Sequence, residues 1–256
     1  MKILATYSIK GGVGKTATAV NLAHLAAAGG ARVLVWDLDP QGAATFYFRV
    51  KPKVKGGARG LVTGRRDLDD AVKATDFDRL DLVPADFSYR NLDLELDTTK
   101  KPTRRITQLL KPVRREYDWV FLDCPPSVSL VSENVIEAAD ALLVPVIPTT
   151  LSLRTLDQLE AFLADNDWRR RLPSVLAFFS MVEGRRKLHR ELLESARAEH
   201  PGVLETEIPA ASDVERMGVH RAPLAAYTTR GRAITAYRAL WDEIERCLTS
   251  PRRRSG

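Results

Sequence analysis

Short apolar runs alternate with longer amphipathic stretches along the whole chain. Ile3-Leu4-Ala5-Thr6-Tyr7, Arg32-Val33-Leu34-Val35-Trp36, Leu80-Asp81-Leu82-Val83-Pro84, Trp119-Val120-Phe121-Leu122-Asp123, residues 141–147 and residues 174–181 read as strands. Most are apolar without strict alternation, as in strands covered on both faces of a parallel sheet. Glu207-Ile208-Pro209 predicts a short last strand, and Pro145 predicts an irregularity in its own, because proline cannot donate to a ladder. Residues 17–26, 132–138, 151–164, 188–199 and 234–248 predict helices; Leu153, Leu156, Leu159 and Leu163 recur at helical spacing. Gly29-Gly30 closes the first helix. Residues 67–72 predict a short capped helix and residues 103–110 a basic one. Residues 49–66 predict a long loop rich in Lys, Arg and Gly, and residues 251–256 a frayed basic tail. Strand–helix alternation throughout predicts an α/β fold: a mostly parallel twisted sheet with helices on both faces, in one domain over residues 1–250.

One stretch carries chemistry that this pattern alone does not. Lys10-Gly11-Gly12-Val13-Gly14-Lys15-Thr16 lies between the first strand and the first helix. Strand, glycine-rich turn and helix N-terminus together make a phosphate-binding loop. The glycines let backbone N–H groups curl around an anion, and the helix start adds unpaired N–H groups and a positive dipole end. Lys15 then reaches the β- and γ-phosphates and the Thr16 hydroxyl ligates Mg²⁺. The strict pattern G-x-x-x-x-G-K-[ST] is missed by one residue, because Ile9 stands at the first glycine position; a second lysine, Lys10, opens the loop instead. Asp123, after four apolar residues at a strand end, places a carboxylate near that Mg²⁺.

The form K-G-G-x-G-K-[ST] is the deviant Walker A motif, and it resembles the ParA/MinD family of P-loop ATPases. Asp37-Leu38-Asp39-Pro40-Gln41-Gly42 is similar to that family's switch I, and Asp123-Cys124-Pro125-Pro126 to its switch II. The resemblance spans nearly the whole chain and implies a P-loop NTPase fold of the deviant Walker A type, with ATP and Mg²⁺ as cofactors. It implies ATP binding by Lys10, Gly11, Gly12, Val13, Gly14, Lys15, Thr16 and Ala17, and metal binding by Thr16, Asp37 and Asp123. Catalysis falls to Lys10, Lys15 and Asp39, with Asp39 positioning the attacking water. Lys10 is implied to reach the nucleotide of a second subunit, so that ATP joins a homodimer. Adenine contacts are implied in the loops after Met181 and after Ile208-Pro209, with Asp213 as one candidate.

Composition narrows the setting. The chain has 256 residues, 45% of them hydrophobic and 28% charged, which suits a globular α/β domain with a sizeable core. Two distant cysteines, Cys124 and Cys247, predict a reducing compartment rather than a disulfide scaffold. They are too few for the iron–sulfur chemistry of the nitrogenase iron protein, which shares this core. The first strand begins almost at residue 1, leaving no room for a signal peptide, and no run approaches membrane-spanning length. The net charge is +6 and the pI near 9.4. With the resemblance, that surplus predicts nonspecific DNA binding through phosphate neutralisation, by Arg221, Arg230 and Arg232 and by Arg169 and Arg170. A cytoplasmic, nucleoid-associated positioning ATPase stimulated by a ParB-like or adaptor protein is the implied function. A MinD-like membrane ATPase is the alternative: Ile234, Tyr237, Leu240, Trp241, Ile244 and Leu248 form an apolar stripe on the last helix. A P-loop ligase or tyrosine kinase would need a substrate pocket or a tyrosine-rich tail that the sequence lacks.

Overall fold

A computed structural model of the chain describes residues 1–166, 168 and 172–249. Seven strands form one sheet: β1 (Lys2–Thr6), β2 (Val33–Asp37), β3 (Lys73–Ala74), β4 (Leu80–Val83), β5 (Trp119–Asp123), β6 (Ala141–Val146) and β7 (Ser174–Phe179). Their spatial order is β3-β4-β2-β5-β1-β6-β7. Every pairing is parallel except that of the short edge strand β3 with β4. From β1 the chain moves out to one side, returns through β5, and then builds the other side from β6. The C-terminal end of β1 is therefore a topological switch point, where open α/β sheets bind ligands.

Alternate side chains of each central strand enter different cores. Ile3, Ala5, Leu34, Trp36, Val120 and Leu122 pack on one face; Leu4, Val33, Val35 and Phe121 pack on the other. The first face is covered by α3 (Gly57–Val62), α4 (Leu92–Asp97), α5 (Arg105–Leu109), α6 (Leu130–Ala138), α7 (Thr150–Asp165) and α8 (Lys187–Glu199). The second is covered chiefly by α1 (Lys15–Ala28) and α11 (Arg232–Thr249). Short helices α2 (Ala43–Tyr47), α9 (Ser212–Glu215) and α10 (Met217–His220) lie in the connections. The apolar stripe of α11 is consumed here: Ile234, Tyr237, Leu240, Trp241 and Ile244 are buried. The Trp241 ring packs edge-on to Trp119 of β5 at 5.0 Å.

Several local expectations are corrected. The loop of residues 49–66 contains α3, and the preceding apolar residues form α2. Residues 67–72 hold only a 3₁₀ turn at Asp69–Ala71, and the basic helix shrinks to a 3₁₀ turn, Pro102–Arg104, followed by α5. Helix α4 and strand β3 lacked a clear periodic signal, being short and mixed in polarity. Glu207-Ile208-Pro209 is not a strand of the sheet. It runs beside the end of β7, with the Ile208 N–H donating to the Phe179 carbonyl at 2.8 Å and a lone bridge from Val182 to Pro209. Pro145, by contrast, sits in regular β6. Tyr7 N–H donates to the Leu143 carbonyl, so Pro145 faces the same edge two residues on, where the chain after β1 has already turned away. Among the described residues no helix is long and apolar enough to cross a membrane.

Candidate nucleotide-binding site

Beyond β1 the chain turns through the loop Lys10–Gly14 and enters α1 at Lys15. The turn needs left-handed backbone at Gly12 (φ 72°) and Gly14 (φ 97°), which side chains with a Cβ disfavour. Gly14 is constrained twice, because a Cβ there would lie 3.0 Å from Ser180 Oγ. Gly11 faces Pro126, so the loop and the turn after β5 border one hollow. Lys15, only 7% exposed, donates from Nζ to the Lys10 carbonyl at 3.1 Å. Burial lowers its pKa, and the charges of Asp123 and Asp39 act the other way. Lys10 turns elsewhere: its Nζ donates to Ser152 Oγ at 3.2 Å, in the first turn of α7. The two ammonium groups thus serve different partners.

Asp37 and Asp123 are register neighbours at the C-terminal ends of β2 and β5. Both are fully buried. Asp37 Oδ2 accepts the N–H and the hydroxyl of Thr45, each at 2.7 Å, and Thr45 Oγ1 accepts the Ala85 N–H at 2.8 Å. Asp123 Oδ1 accepts the Thr6 hydroxyl at 3.1 Å. One oxygen of each carboxylate, Asp37 Oδ1 and Asp123 Oδ2, has no hydrogen-bond partner. Burial pushes the Asp37 pKa up to about 6 against its Thr45 bonds. Burial, and next the Asp37 charge, push Asp123 up to about 8, while the hydroxyls of Thr16 and Thr6 pull it down. Paired buried carboxylates with free oxygens next to a threonine hydroxyl fit a hard divalent cation such as Mg²⁺. Among the described residues no group of three or more His, Cys, Asp or Glu side chains is arranged to hold a metal.

The shifts set a pH dependence. Both carboxyls hold their protons above the unfolded value near 3.8. Their contribution to stability is complete below about pH 4 and is lost as pH rises through about 6 and then about 8. A cation replaces those protons. The stabilisation by Mg²⁺ with a non-hydrolysable ATP analogue, over the analogue with chelator, should therefore grow between about pH 6 and pH 8. Thermal unfolding at a series of pH values checks this; a Mg²⁺ increment flat across that window contradicts it.

Asp39 is half-buried at the mouth of the site. Its Oδ1 accepts the Gln41 N–H at 2.9 Å, a local turn that leaves Oδ2 free. Cys124 is buried beside Asp123, and burial pushes its thiol pKa up, so it is a packing residue rather than a nucleophile. Next to Gly14 and Ala17 opens a cavity of about 390 Å³, walled by Met181, Ile208, Pro209 and Val214. The two loops expected to hold a base both line it. Asp213 stands beside it, its carboxylate turned to Gly231 at the start of α11. Arg230 and Arg232 are exposed on either side of that glycine. Arg221, also exposed, ends α10 with left-handed backbone (φ 47°) and lies 4.5 Å over the Phe46 ring, with Nε donating to the Phe46 carbonyl at 3.2 Å. Arg169, Arg170 and the tail 251–256 lie outside the described residues. Sequence reasoning missed Thr6, Thr45, Ser152 and His189, which reach the site from distant elements and belong to no motif.

Comparison with known proteins agrees with this geometry. A family profile described as an AAA domain matches residues 1–169. The chain is 32% identical over 247 residues to the sporulation initiation inhibitor protein Soj of Bacillus subtilis, covering 95% of this chain and 98% of Soj. It is 30% identical over 251 residues to the chromosome partitioning protein ParA of Caulobacter vibrioides, covering 95% and 94%. The solved cobyrinic acid a,c-diamide synthase of Mycobacterium smegmatis, with bound ATP analogue and magnesium, matches at TM-score 0.82 and 25% identity over 98% of this chain and 97% of that one. With a phosphate loop opened by Lys10, buried acids at two strand ends, and relatives that match it over nearly their full length, this chain belongs to the ParA/MinD family of P-loop ATPases.

Proposed function

We propose that the chain is a Mg²⁺-dependent ATPase of the ParA type. It pairs with a second copy across ATP, holds DNA nonspecifically in that state, and lets go when a partner stimulates hydrolysis. The observation that carries this reading is the divergence of the two loop lysines, Lys15 into the loop and Lys10 towards α7. A loop serving one phosphate needs only the first.

The roles follow from the positions. Lys15 lies where a β/γ-phosphate oxygen replaces the Lys10 carbonyl as its acceptor. Thr16, Asp37 and Asp123 hold Mg²⁺, which when bound neutralises charge building on the departing phosphate. Asp39 takes a hydrogen bond from the attacking water and orients it in line. Lys10 is left to meet the partner's nucleotide. No arginine stands in these motifs to complete the charge, so intrinsic turnover is slow and stimulation falls to a ParB-like or adaptor protein with a basic N-terminal segment. The cargo is a plasmid, a chromosome or a protein assembly tied to the nucleoid in the cytoplasm.

The DNA half rests on the net charge of +6, on the exposure of Arg221, Arg230 and Arg232, and on 30% identity to a chromosome partitioning protein. The membrane alternative loses support from the burial of the α11 stripe. Asp39→Ala, which should hold ATP without cleaving it, tests both halves. Binding to nonspecific duplex is expected with ATP and not with ADP, and log affinity should fall linearly with log salt. No binding in either state would remove DNA from the reading and leave the ATPase; flotation with anionic liposomes and ATP would then test the membrane alternative.

A further inference from the structure

On the first face of the sheet a cleft of about 460 Å³ opens between the ends of α3 and α4 and the start of α5. None of its residues belongs to the nucleotide site. Lys100, Lys101 and Arg105 bring three positive charges to it, and no lining residue is acidic. Among the described residues no carboxylate comes within ion-pair distance of any of the three. Arg105 Nη1 donates to Gln108 Oε1 at 3.1 Å and Nη2 to the Leu61 carbonyl at 2.8 Å, both neutral acceptors. Its Nε is buried without a hydrogen-bond partner. Burial lowers the Arg105 pKa, and the Asp67 charge, beyond ion-pair distance, acts the other way. A partly buried cation with neutral partners costs free energy that a counter-ion recovers. The wall that carries it is fixed: the N–H groups of Arg105 and Ile106 donate to Asn134 Oδ1 of α6, at 2.8 and 3.2 Å.

The hydroxyls around these cations narrow the ligand. Thr63, Thr98 and Thr99 line the same cleft. Each has one proton and spends it on a backbone carbonyl: Thr63 on Arg59 at 2.7 Å, Thr98 on Glu95 at 2.7 Å and Thr99 on Leu96 at 2.8 Å. Their oxygens are left as acceptors. A bare anion finds no hydroxyl donor there, whereas a ligand with its own hydroxyl groups finds three acceptors beside three cations. We propose that the cleft binds a small phosphorylated sugar, its phosphate held by Lys100 and Lys101 against the Arg105 guanidinium and its hydroxyl groups donating to the threonine oxygens. The volume suits a ligand of that size. The backbone of duplex DNA, the rival occupant for a basic cleft, carries phosphodiesters without hydroxyl groups and would leave the threonines unmatched.

The test is calorimetric titration of the full chain with ribose 5-phosphate, inorganic phosphate and ribose, with MgADP in excess so that the phosphate loop is filled. Ribose 5-phosphate should bind about tenfold or more tighter than inorganic phosphate, and ribose alone should not bind. Lys100 and Lys101 are exposed, so Lys100→Glu with Lys101→Glu should fold as wild type does. That variant should lose about tenfold or more in affinity for ribose 5-phosphate and keep the wild-type rate of ATP hydrolysis. Thr63→Val with Thr98→Val should keep inorganic phosphate and lose most of the preference for the sugar phosphate. Absence of ribose 5-phosphate binding overturns the proposal, as does equal affinity for ribose 5-phosphate and inorganic phosphate, or an unchanged affinity in the lysine variant. Loss of duplex DNA binding by the lysine variant, in a protein whose wild type ignores ribose 5-phosphate, would overturn it in favour of a DNA contact.

Discussion

Lys15→Ala should lower ATP hydrolysis by about a thousandfold or more while leaving the ligand-free protein at least as stable as wild type. The two halves have one cause. Lys15 is an ammonium group held almost out of water, with a single carbonyl partner at 3.1 Å and a pKa lowered by its burial. Among the described residues no carboxylate comes within ion-pair distance of it. A buried charge so poorly compensated costs stability in the empty state. Its return comes only when phosphate oxygens, and above all the transition state with charge on the γ-phosphoryl group, arrive beside it. Removing one preorganised donor of this kind lowers turnover by about 10²–10³, and loss of a full charge adds to that. Phosphate release and thermal unfolding, measured on one preparation, check both. A variant that lost activity together with several degrees of melting temperature would mean that Lys15 is a packing residue whose loss deforms the loop.

Lys10→Ala should leave nucleotide binding by the monomer nearly intact and weaken ATP-dependent pairing by about a hundredfold. In the single chain Lys10 makes one side-chain bond, to Ser152 Oγ, which also accepts the Thr149 hydroxyl at 2.9 Å. Losing that bond costs about 1 kcal/mol at most, since Ser152 keeps another partner. Across a two-fold interface the same lysine acts twice, once on each nucleotide. Truncating one charged partner of a desolvated contact costs about 2–5 kcal/mol, which is about thirtyfold to several thousandfold in affinity. Sedimentation with a non-hydrolysable ATP analogue and Mg²⁺ measures it. Unchanged dimer formation in Lys10→Ala would remove Lys10 from the interface and leave it as a latch on α7. Lys10→Arg is a poor rescue, because a forked guanidinium cannot occupy the place of a compact ammonium.

The mature site depends on both kinds of information, and the division is physical. The phosphate loop was legible because its determinants are local. Left-handed backbone at Gly12 and Gly14, an apolar strand before them and a helix start after them are decided within a few residues. The acids at strand ends were legible for the same reason, since a carboxylate after an apolar run has few places to go but the end of a strand. The apolar stripe of α11 was legible from its period, but its burial on the sheet rather than on a lipid surface was decided by the packed structure. Shorter elements were not legible: α2, α4 and β3 have too few residues for a period to rise above noise, and tertiary contacts decide them.

What the sequence alone determined, then, was the sheet, the loop and the type of chemistry, because backbone sterics and hydrophobic periodicity act over a few residues and leave a mark in any short window. Tertiary structure alone decided which groups meet. It set Asp37 against Asp123 in register, so that two ordinary acids became a proton-holding pair. It brought Thr6 to Asp123 across 117 positions and Ser152 to Lys10 across 142. It placed His189 in the wall of the cavity beside Gly14, with Nδ1 accepting the Glu183 N–H. Such contacts depend on strand order and helix placement, which are properties of the whole packed chain, and a hydroxyl or an imidazole with no motif around it carries no local sign of the partner it will find.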